Sequence, residues 1–339
     1  MPEIPIKPLF RPERVYYEPA ALEYPLGRLL QQRYAALPWQ PIESHNDIPA
    51  LRSSPNSAFP RLKRNLILGV RKTHRYTPNH KTSDFLVPYT SSGCSAACLY
   101  CYLVCNYNKC AYLRLFVNRE EMLQRLLDAD AASEAPRVFE IGSNSDLVLE
   151  NTLTGNLCWT IENFARARGQ LTLPTKFAAV EPLLPLEHRG RTILRMSVNP
   201  PEIIRRIELG TAPLSQRIEA VNGLAAAGYP VGLLIAPVIL LPDWRTQYGE
   251  LLTRLADGLS PAVKRQARLE IILMTYSYIH RRINEEAFPG APDLFDPAAM
   301  AGRGRGKYAY RAGPRAEAEA FFRERLPRLL PGMEIAYIS

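Results

Sequence analysis

The chain has 339 residues, of which 47% are hydrophobic and 22% charged, enough for one large or two ordinary domains with a sizeable core. No apolar run reaches the ~20 residues of a membrane span, and the opening MPEIPIKPLF has no secretory h-region. A soluble cytoplasmic protein is therefore expected, where thiols stay reduced and clustered cysteines favour metal or redox chemistry over a disulfide framework. The net charge of +9 concentrates in two stretches free of acidic residues. One, residues 50–83, carries Arg52, Arg61, Lys63, Arg64, Arg71, Lys72, Arg75 and Lys81; the other, residues 297–316, carries Arg303, Arg305, Lys307, Arg311 and Arg315. Such blocks suit a polyanionic partner, nucleic acid first, although either alone suits a solvated face equally well.

In chain order, residues 1–84 read as a basic, Pro-rich and mostly irregular segment. It holds one helix near 21–34 and one strand, NLILGV (65–70). YLRLFV (112–117) is a strand, and Asn118 caps the helix that starts REEMLQRLL. Then strands and helices alternate: RVFEIG (137–142) strand, GNLCWTIENFARAR (155–168) helix, LTLPTKF (171–177) strand and TILRMSVN (192–199) strand. PLSQRIEAVNGLAAAG (213–228) is a helix, PVGLLIAPVIL (230–240) a buried strand, WRTQYGELLTRLADGL (244–259) a helix and ARLEIILMTYSY (267–278) a strand. This alternation predicts parallel βαβ units over 85–285, an incomplete barrel or an open doubly wound sheet, with ligands at the C-terminal strand ends. Residues 286–339 predict a Gly/Pro/Arg-rich hairpin arm, then a short helix (315–326) and a final strand, MEIAYIS.

The stretch SSGCSAACLYCYLVCNYNKC (91–110) holds five of the six cysteines. Cys94, Cys98 and Cys101 form C-x3-C-x2-C, thiolates that can converge on one inorganic group. A cubane 4Fe–4S cluster held by three cysteines leaves one iron open to a cofactor or substrate. Structural zinc prefers two C-x2-C knuckles, and the second knuckle is missing, so iron–sulfur is the better reading and a zinc-dependent nucleic-acid binder the alternative.

C-x3-C-x2-C followed by an aromatic residue resembles the cluster signature of radical S-adenosylmethionine (SAM) enzymes. The resemblance narrows with YYEPAALEYPLG, ESHN (43–46), LGVRKTHRY (68–76), GCSAACLYCYL (93–103), TKF (175–177), GTAPLSQRIEAVNGLAAAGYPVGLLIAP (210–237) and GKYAY (306–310). These are similar, in the same order, to the spore photoproduct lyase family. The resemblance implies a partial (β/α)6 TIM-like barrel of the radical SAM type with a C-terminal β-hairpin extension. It implies a 4Fe–4S cluster on Cys94, Cys98 and Cys101 and SAM as cofactor. The implied activity is a DNA-repair lyase reversing a UV-induced thymine photoproduct through a 5′-deoxyadenosyl radical. It further implies damaged DNA as partner, a flavodoxin or ferredoxin as electron donor, and a monomer. A radical SAM enzyme of another nucleic acid or of a small molecule is the other reading.

Residue by residue, the resemblance places Tyr102 beside SAM and Tyr100 on a hydrogen-transfer path, and makes Ser145, Lys176, Ser197 and Ala236 SAM contacts, with Asp146 and Asn199 weaker candidates. Arg303, Arg305, Lys307 and Tyr308, or Tyr310, fall on a hairpin that enters DNA. One departure stands out: Ser143 occupies the position of the family's hydrogen-donating cysteine. A serine O–H bond is much stronger than a thiol S–H bond, so Ser143 is not a ready hydrogen-atom donor. Tyr100, Tyr102, Cys105, Cys110 and Cys158 are the candidates to replace it, and a different thymine-containing lesion becomes an option.

Overall fold

The structure, a computed structural model, describes residues 8–106 and 112–339. Cys110 and the side chain of Cys105 lie outside the described residues. Strands β1 (Arg14–Tyr17), β2 (Trp39–Pro41) and β3 (Asn65–Gly69) come from the segment expected to be mostly irregular. Four two-residue strands follow, β4 (Thr77–Pro78), β5 (Phe85–Leu86), β6 (Ser91–Ser92) and β7 (Ala97–Cys98), and then β8 (Leu113–Phe116). A sheet of order β2-β1-β3-β8-β6 results, parallel except for β6. The N-terminal segment is thus largely a sheet. Its strands are short and pair across long sequence separations, which local periodicity does not report. Tyr16, Ile67 and Tyr112 pack there with Ile48 and Leu51 in a small core of their own.

The main sheet takes β9 (Val138–Glu140), β10 (Gln170–Thr175) and β11 (Thr192–Val198). After a short β12 (Glu208–Leu209) it takes β13 (Val231–Val238) and β14 (Leu269–Leu273). Beyond it lie β15 (Thr275–Ser277), β16 (Met300–Gly302) and β17 (Lys307–Tyr310), and the chain closes with β18 (Ile335–Ile338). The order is β4-β5-β9-β10-β11-β13-β14-β18, parallel from β5 to β18, and the sheet curls into a half-barrel. Helices Leu214–Ala226 and Trp244–Gly258 make crossovers whose Val221, Leu224, Leu251 and Leu255 are buried.

Three elements differ from expectation. The helix expected over 155–168 is Asn156–Phe164, and an unexpected helix, Leu147–Thr154, precedes it across Gly155 at φ 67°. A left-handed residue ends one helix and lets the next restart at an angle. Asn118 does not cap its helix through its side chain; its amide instead bonds both backbone groups of Arg71 at 2.9 Å. The strand expected over 267–278 divides, with β15 leaving the barrel to pair with β17, while β18 joins the barrel beside β14.

Candidate active site

The cysteine loop leaves the C-terminal end of β5 and is fastened at several points. Gly93, at φ 76°, donates its N–H to Asn144 O at 2.8 Å and bridges to Ser145, binding the loop to the turn after β9. β7 pairs antiparallel with β12, which sets Cys98 opposite Glu208. Leu99 O accepts from Asn284 Nδ2 at 2.7 Å, and Cys94 O accepts from Lys63 Nζ at 2.7 Å. Cys98 is buried, Cys94 and Cys101 are half-buried, and all three thiols are free. They share the wall of one cavity of about 560 Å³. Burial pushes the Cys94 thiol up to about 12 and Cys98 up as well, so these thiols ionise when a cation takes the proton's place. Ala96 N–H points to Cys94 Sγ at 3.4 Å, the kind of bond that tunes cluster thiolates. The donor set therefore fits a three-cysteine iron–sulfur cluster. Among the described residues no three His, Cys, Asp or Glu side chains converge as ligands of a single metal ion.

Across the cavity, three residues expected to touch SAM meet at one point. Lys176 Nζ, just past β10, donates to Ser197 Oγ and Ala236 O, both at 2.6 Å, and lies 3.1 Å from Glu208 Oε1. An ammonium has three donors, and these partners engage all of them. Glu208 is the carboxylate on which the arrangement turns. It also accepts from Tyr100 OH at 2.5 Å and Asn199 Nδ2 at 2.9 Å, and Arg217 Nη2 lies 2.7 Å from its Oε2. Burial alone would raise its pKa, but Lys176 and Arg217, helped by the Tyr100 and Asn199 bonds, hold it down at about 2. Burial and the Glu208 charge together push the Tyr100 phenol well above its usual value, so it stays neutral.

The weaker SAM candidates, Asp146 and Asn199, are both bonded within the protein. Asp146 caps the helix Leu147–Thr154 by accepting from Val148 and Leu149 N–H and also accepts from Thr175 Oγ1 and Lys176 N–H. Asn199 is fully buried, joining Glu208 to Pro237 O and Tyr248. Ser145 lines the cavity, its hydroxyl accepting from Ser91 Oγ at 2.8 Å. Ser143 also lines the cavity; its carbonyl accepts from Tyr102 OH, and among the described residues its own hydroxyl has no hydrogen-bond partner. Tyr102 is half exposed on the same rim. Cys158 stands away from this cavity, its sulfur accepting from Asn151 Nδ2 at 3.2 Å.

The hairpin β16–β17 adds to β15, whose Thr275 lies on the cavity wall and pairs with Ala309. Arg303, Arg305 and Lys307 are exposed on it, outside the cavity lining. Gly306 has φ 69°, and a Cβ there would meet the Tyr278 ring at 2.0 Å. Tyr308 is half-buried with its ring against Phe295, 4.4 Å between centroids. Tyr310 is buried and accepts from Leu240 N–H, which removes it as a base-stacking residue.

Sequence reasoning missed Glu208 and Arg217, and also a second group on the cavity wall, Glu140, Arg195, Glu270 and Tyr337. A signal existed: Glu140, Arg195 and Glu270 are charges inside otherwise apolar strands of a parallel sheet, where burial demands a partner.

A family model described as spore photoproduct lyase matches residues 10–339. The chain is 32% identical to the spore photoproduct lyase of Bacillus subtilis (strain 168) and 31% identical to that of Geobacillus sp. (strain Y412MC61), in each case over 97% of this chain and 99% of the relative. It is similar to a solved spore photoproduct lyase complexed with dinucleoside spore photoproduct, with TM-score 0.89 and 28% identity, covering 98% of this chain and 100% of that one. It is equally similar, with TM-score 0.90, 28% identity and the same coverage, to a mutant spore photoproduct lyase with bound AdoMet and dinucleoside spore photoproduct.

Proposed function

We propose a finer reading from one premise: the chain belongs to the spore photoproduct lyase family. It is a radical SAM lyase that acts on a DNA lesion. The finer reading concerns which residues carry that activity and how this chain differs. Cys94, Cys98 and Cys101 hold the 4Fe–4S cluster, and Ser145, Lys176, Ser197 and Ala236 surround SAM. When bound, cluster and SAM supply the carbon-centred radical that takes a hydrogen from a thymine photoproduct.

The remaining work falls to the chain's own groups. Glu208 fixes Lys176 and Tyr100 through one carboxylate oxygen, Oε1, while Arg217 holds the other. The hairpin presents Arg303, Arg305 and Lys307 to phosphates next to the cavity mouth. Tyr102 stands where a hydrogen can be returned to the product, taking over from the cysteine that Ser143 replaces. An electron carrier of the flavodoxin or ferredoxin kind supplies the reductant, and the protein works as a monomer. The observation that carries this reading is the sharing of one cavity by the three cysteines, Lys176, Ser197, Ala236, Tyr102 and Ser143.

The test is anaerobic turnover of the reconstituted protein with reductant and SAM against dinucleotides carrying defined thymine photoproducts, followed by mass spectrometry. Restoration of the parent bases from one of them is expected. Formation of 5′-deoxyadenosine with no base restored from any member would refute the reading.

A further inference from the structure

The β16–β17 hairpin carries exposed cations and no free ring of its own. Arg303, Arg305 and Lys307 are exposed and make no ion pair among the described residues. The next cations in space along the chain are engaged, Arg281 with Asp293 at 2.7 Å and Arg282 with Glu286 at 2.9 Å. Of the hairpin's two tyrosines, Tyr308 packs its ring on Phe295 and Tyr310 is buried.

An exposed ring comes instead from the neighbouring element. Among the described residues the exposed aromatic side chains are Tyr102, on the cavity rim, and Tyr278, which is 55% exposed. Tyr278 is the first residue of the helix Tyr278–Ala287, directly after β15. Its N–H donates to Gly306 O at 3.1 Å, and Ser277 before it pairs with Lys307. Its ring lies against Gly306, the residue between Arg305 and Lys307, and a Cβ there would fall 2.0 Å from the ring. Glycine at 306 therefore lets the ring sit on the hairpin backbone among the three cations. The helix behind the ring is fixed to the cluster loop. Ile283 packs with Leu103 and Val104, and Asn284 Nδ2 donates to Leu99 O at 2.7 Å.

A single exposed ring is ordinary on a protein surface. This one is held on one side and flanked by unpaired cations, the combination with which proteins bind unpaired nucleic-acid strands. It also stands close to the lesion site. Thr275, on the cavity wall, lies three residues earlier, a span of at most about 11 Å. A stacked strand rises about 3.4 Å per nucleotide, so the ring is within roughly three nucleotides of the cavity mouth.

We propose that Tyr278 is a stacking platform for an undamaged nucleobase flanking the lesion, with Arg303, Arg305 and Lys307 on the phosphates around it. A lesion must leave the stack to enter the cavity, and its neighbour then lacks a stacking partner; the Tyr278 ring takes that place. The platform rests on the lesion reading above and deepens it, because it assigns a contact with DNA outside the photoproduct. Stacking of this kind accepts any base, since every base has a π-face.

The test uses the anaerobically reconstituted full chain with SAM. Its probes are dinucleoside spore photoproduct and single-stranded oligonucleotides that extend it by one, two or three nucleotides on either side, each titrated over a range of salt. Wild type should gain affinity as the strand reaches the platform. Tyr278→Ala should lose about 5- to 150-fold on those longer probes, with its log–log salt slope unchanged because no phosphate contact is removed. Tyr278→Leu keeps apolar bulk over Gly306 without a π-face and should lose a similar factor, whereas Tyr278→Phe should stay within about threefold of wild type. Affinity for the dinucleoside, which has no flanking base, should stay within about twofold in all three variants.

Wild type that gains nothing with length overturns the platform alone. So does Tyr278→Ala that binds the longest probe as wild type does, or Tyr278→Leu that matches Tyr278→Phe, which would reduce the ring to an apolar cover for Gly306. A loss extending equally to the dinucleoside also overturns it and assigns Tyr278 to the shape of the cavity. If wild type binds neither dinucleoside nor oligonucleotide, the lesion reading falls and the platform with it.

Discussion

The Glu208→Gln variant probes the point where cluster loop and cofactor side meet. Glu208 is 1% exposed and bears the charge opposite Lys176 and Arg217, while also accepting from Tyr100 and Asn199. Glutamine keeps the size and one acceptor oxygen. It removes the charge, leaving the Arg217 side chain, itself at 0% exposure, without a counter-ion. Removing one partner of a buried pair costs about 3–5 kcal/mol. Lys176 remains a fifth exposed and can rehydrate in part, so the lower end, about 3 kcal/mol, is expected. In a chain of this size that is a fall of roughly 5 °C in Tm.

Loss of the anchor also frees Tyr100 and Lys176, and SAM affinity should weaken about tenfold or more without their charge-assisted hydrogen bonds to hold the site in place. Thermal melting and anaerobic titration with SAM read the two effects. Glu18→Gln is the control: it breaks another buried carboxylate pair, with His45 at 2.8 Å, away from the cavity lining. A Glu208→Gln protein that melts and binds SAM as wild type does would refute the reasoning. Equal weakening of SAM binding by Glu18→Gln would show the effect to be global.

Ser143→Ala should leave SAM cleavage and base restoration within about twofold, since only its carbonyl has a partner; collapse of both, followed by product analysis, would return the hydroxyl to the mechanism. The double variant Arg303→Ala/Arg305→Ala should reduce the salt dependence of duplex binding by roughly 1.8 in log–log slope, about 0.9 for each phosphate no longer neutralised, with SAM affinity untouched; an unchanged slope removes the hairpin from the DNA interface. Acid should destabilise the fold through Glu208 and Glu18. Both are held at about 2 against the burial that would raise them, Glu208 by its cations and Glu18 by bonds to His45 and Val70. Because these folded values are depressed, their stabilisation is present above the unfolded carboxylate value of about 4.3 and is lost as pH falls toward 2. Denaturant midpoints should be flat between about pH 6 and 8 and drop below about 4.5, with a shallower drop in Glu208→Gln; a slope unaffected by that substitution would remove Glu208 as its source.

The spacing of Cys94, Cys98 and Cys101 made the cluster loop legible, because covalent proximity along the chain already confines three thiols. The strand ends bearing Ser145, Lys176 and Ser197 were legible because alternating periodicity locates the C-terminal edge of a parallel sheet. Glu208 was hidden because its meaning is its pairing, with Lys176 far back along the chain and Arg217 on the following helix. The N-terminal sheet was hidden for the same reason, since β1 finds β2 and β3 only in three dimensions. The position of β18 followed neither from composition nor from periodicity, which report a strand but not its neighbour.

Under the proposed function, in which Ser143 replaces a hydrogen-donating cysteine, the bonding of the two tyrosines separates them as candidates for hydrogen return. Loss of a hydrogen atom from a phenol requires its proton to go to the carbon radical or to a base. The Tyr100 proton is directed at Glu208, whose oxygens are held ionised at about 2 by Lys176 and Arg217. Glu208 is thus a poor terminus for that proton, and the phenol O–H is committed to it. Tyr102 donates to the neutral carbonyl of Ser143, on the rim that both residues share, and that weaker bond is readily exchanged. Among the described residues with a cavity-lining X–H bond weak enough to serve, Tyr102 is accordingly the better placed. The expected pattern is that Tyr102→Phe still cleaves SAM but restores few bases and accumulates misquenched product. Tyr100→Phe should instead weaken SAM binding through Glu208. The reverse assignment of the two phenotypes would overturn this order.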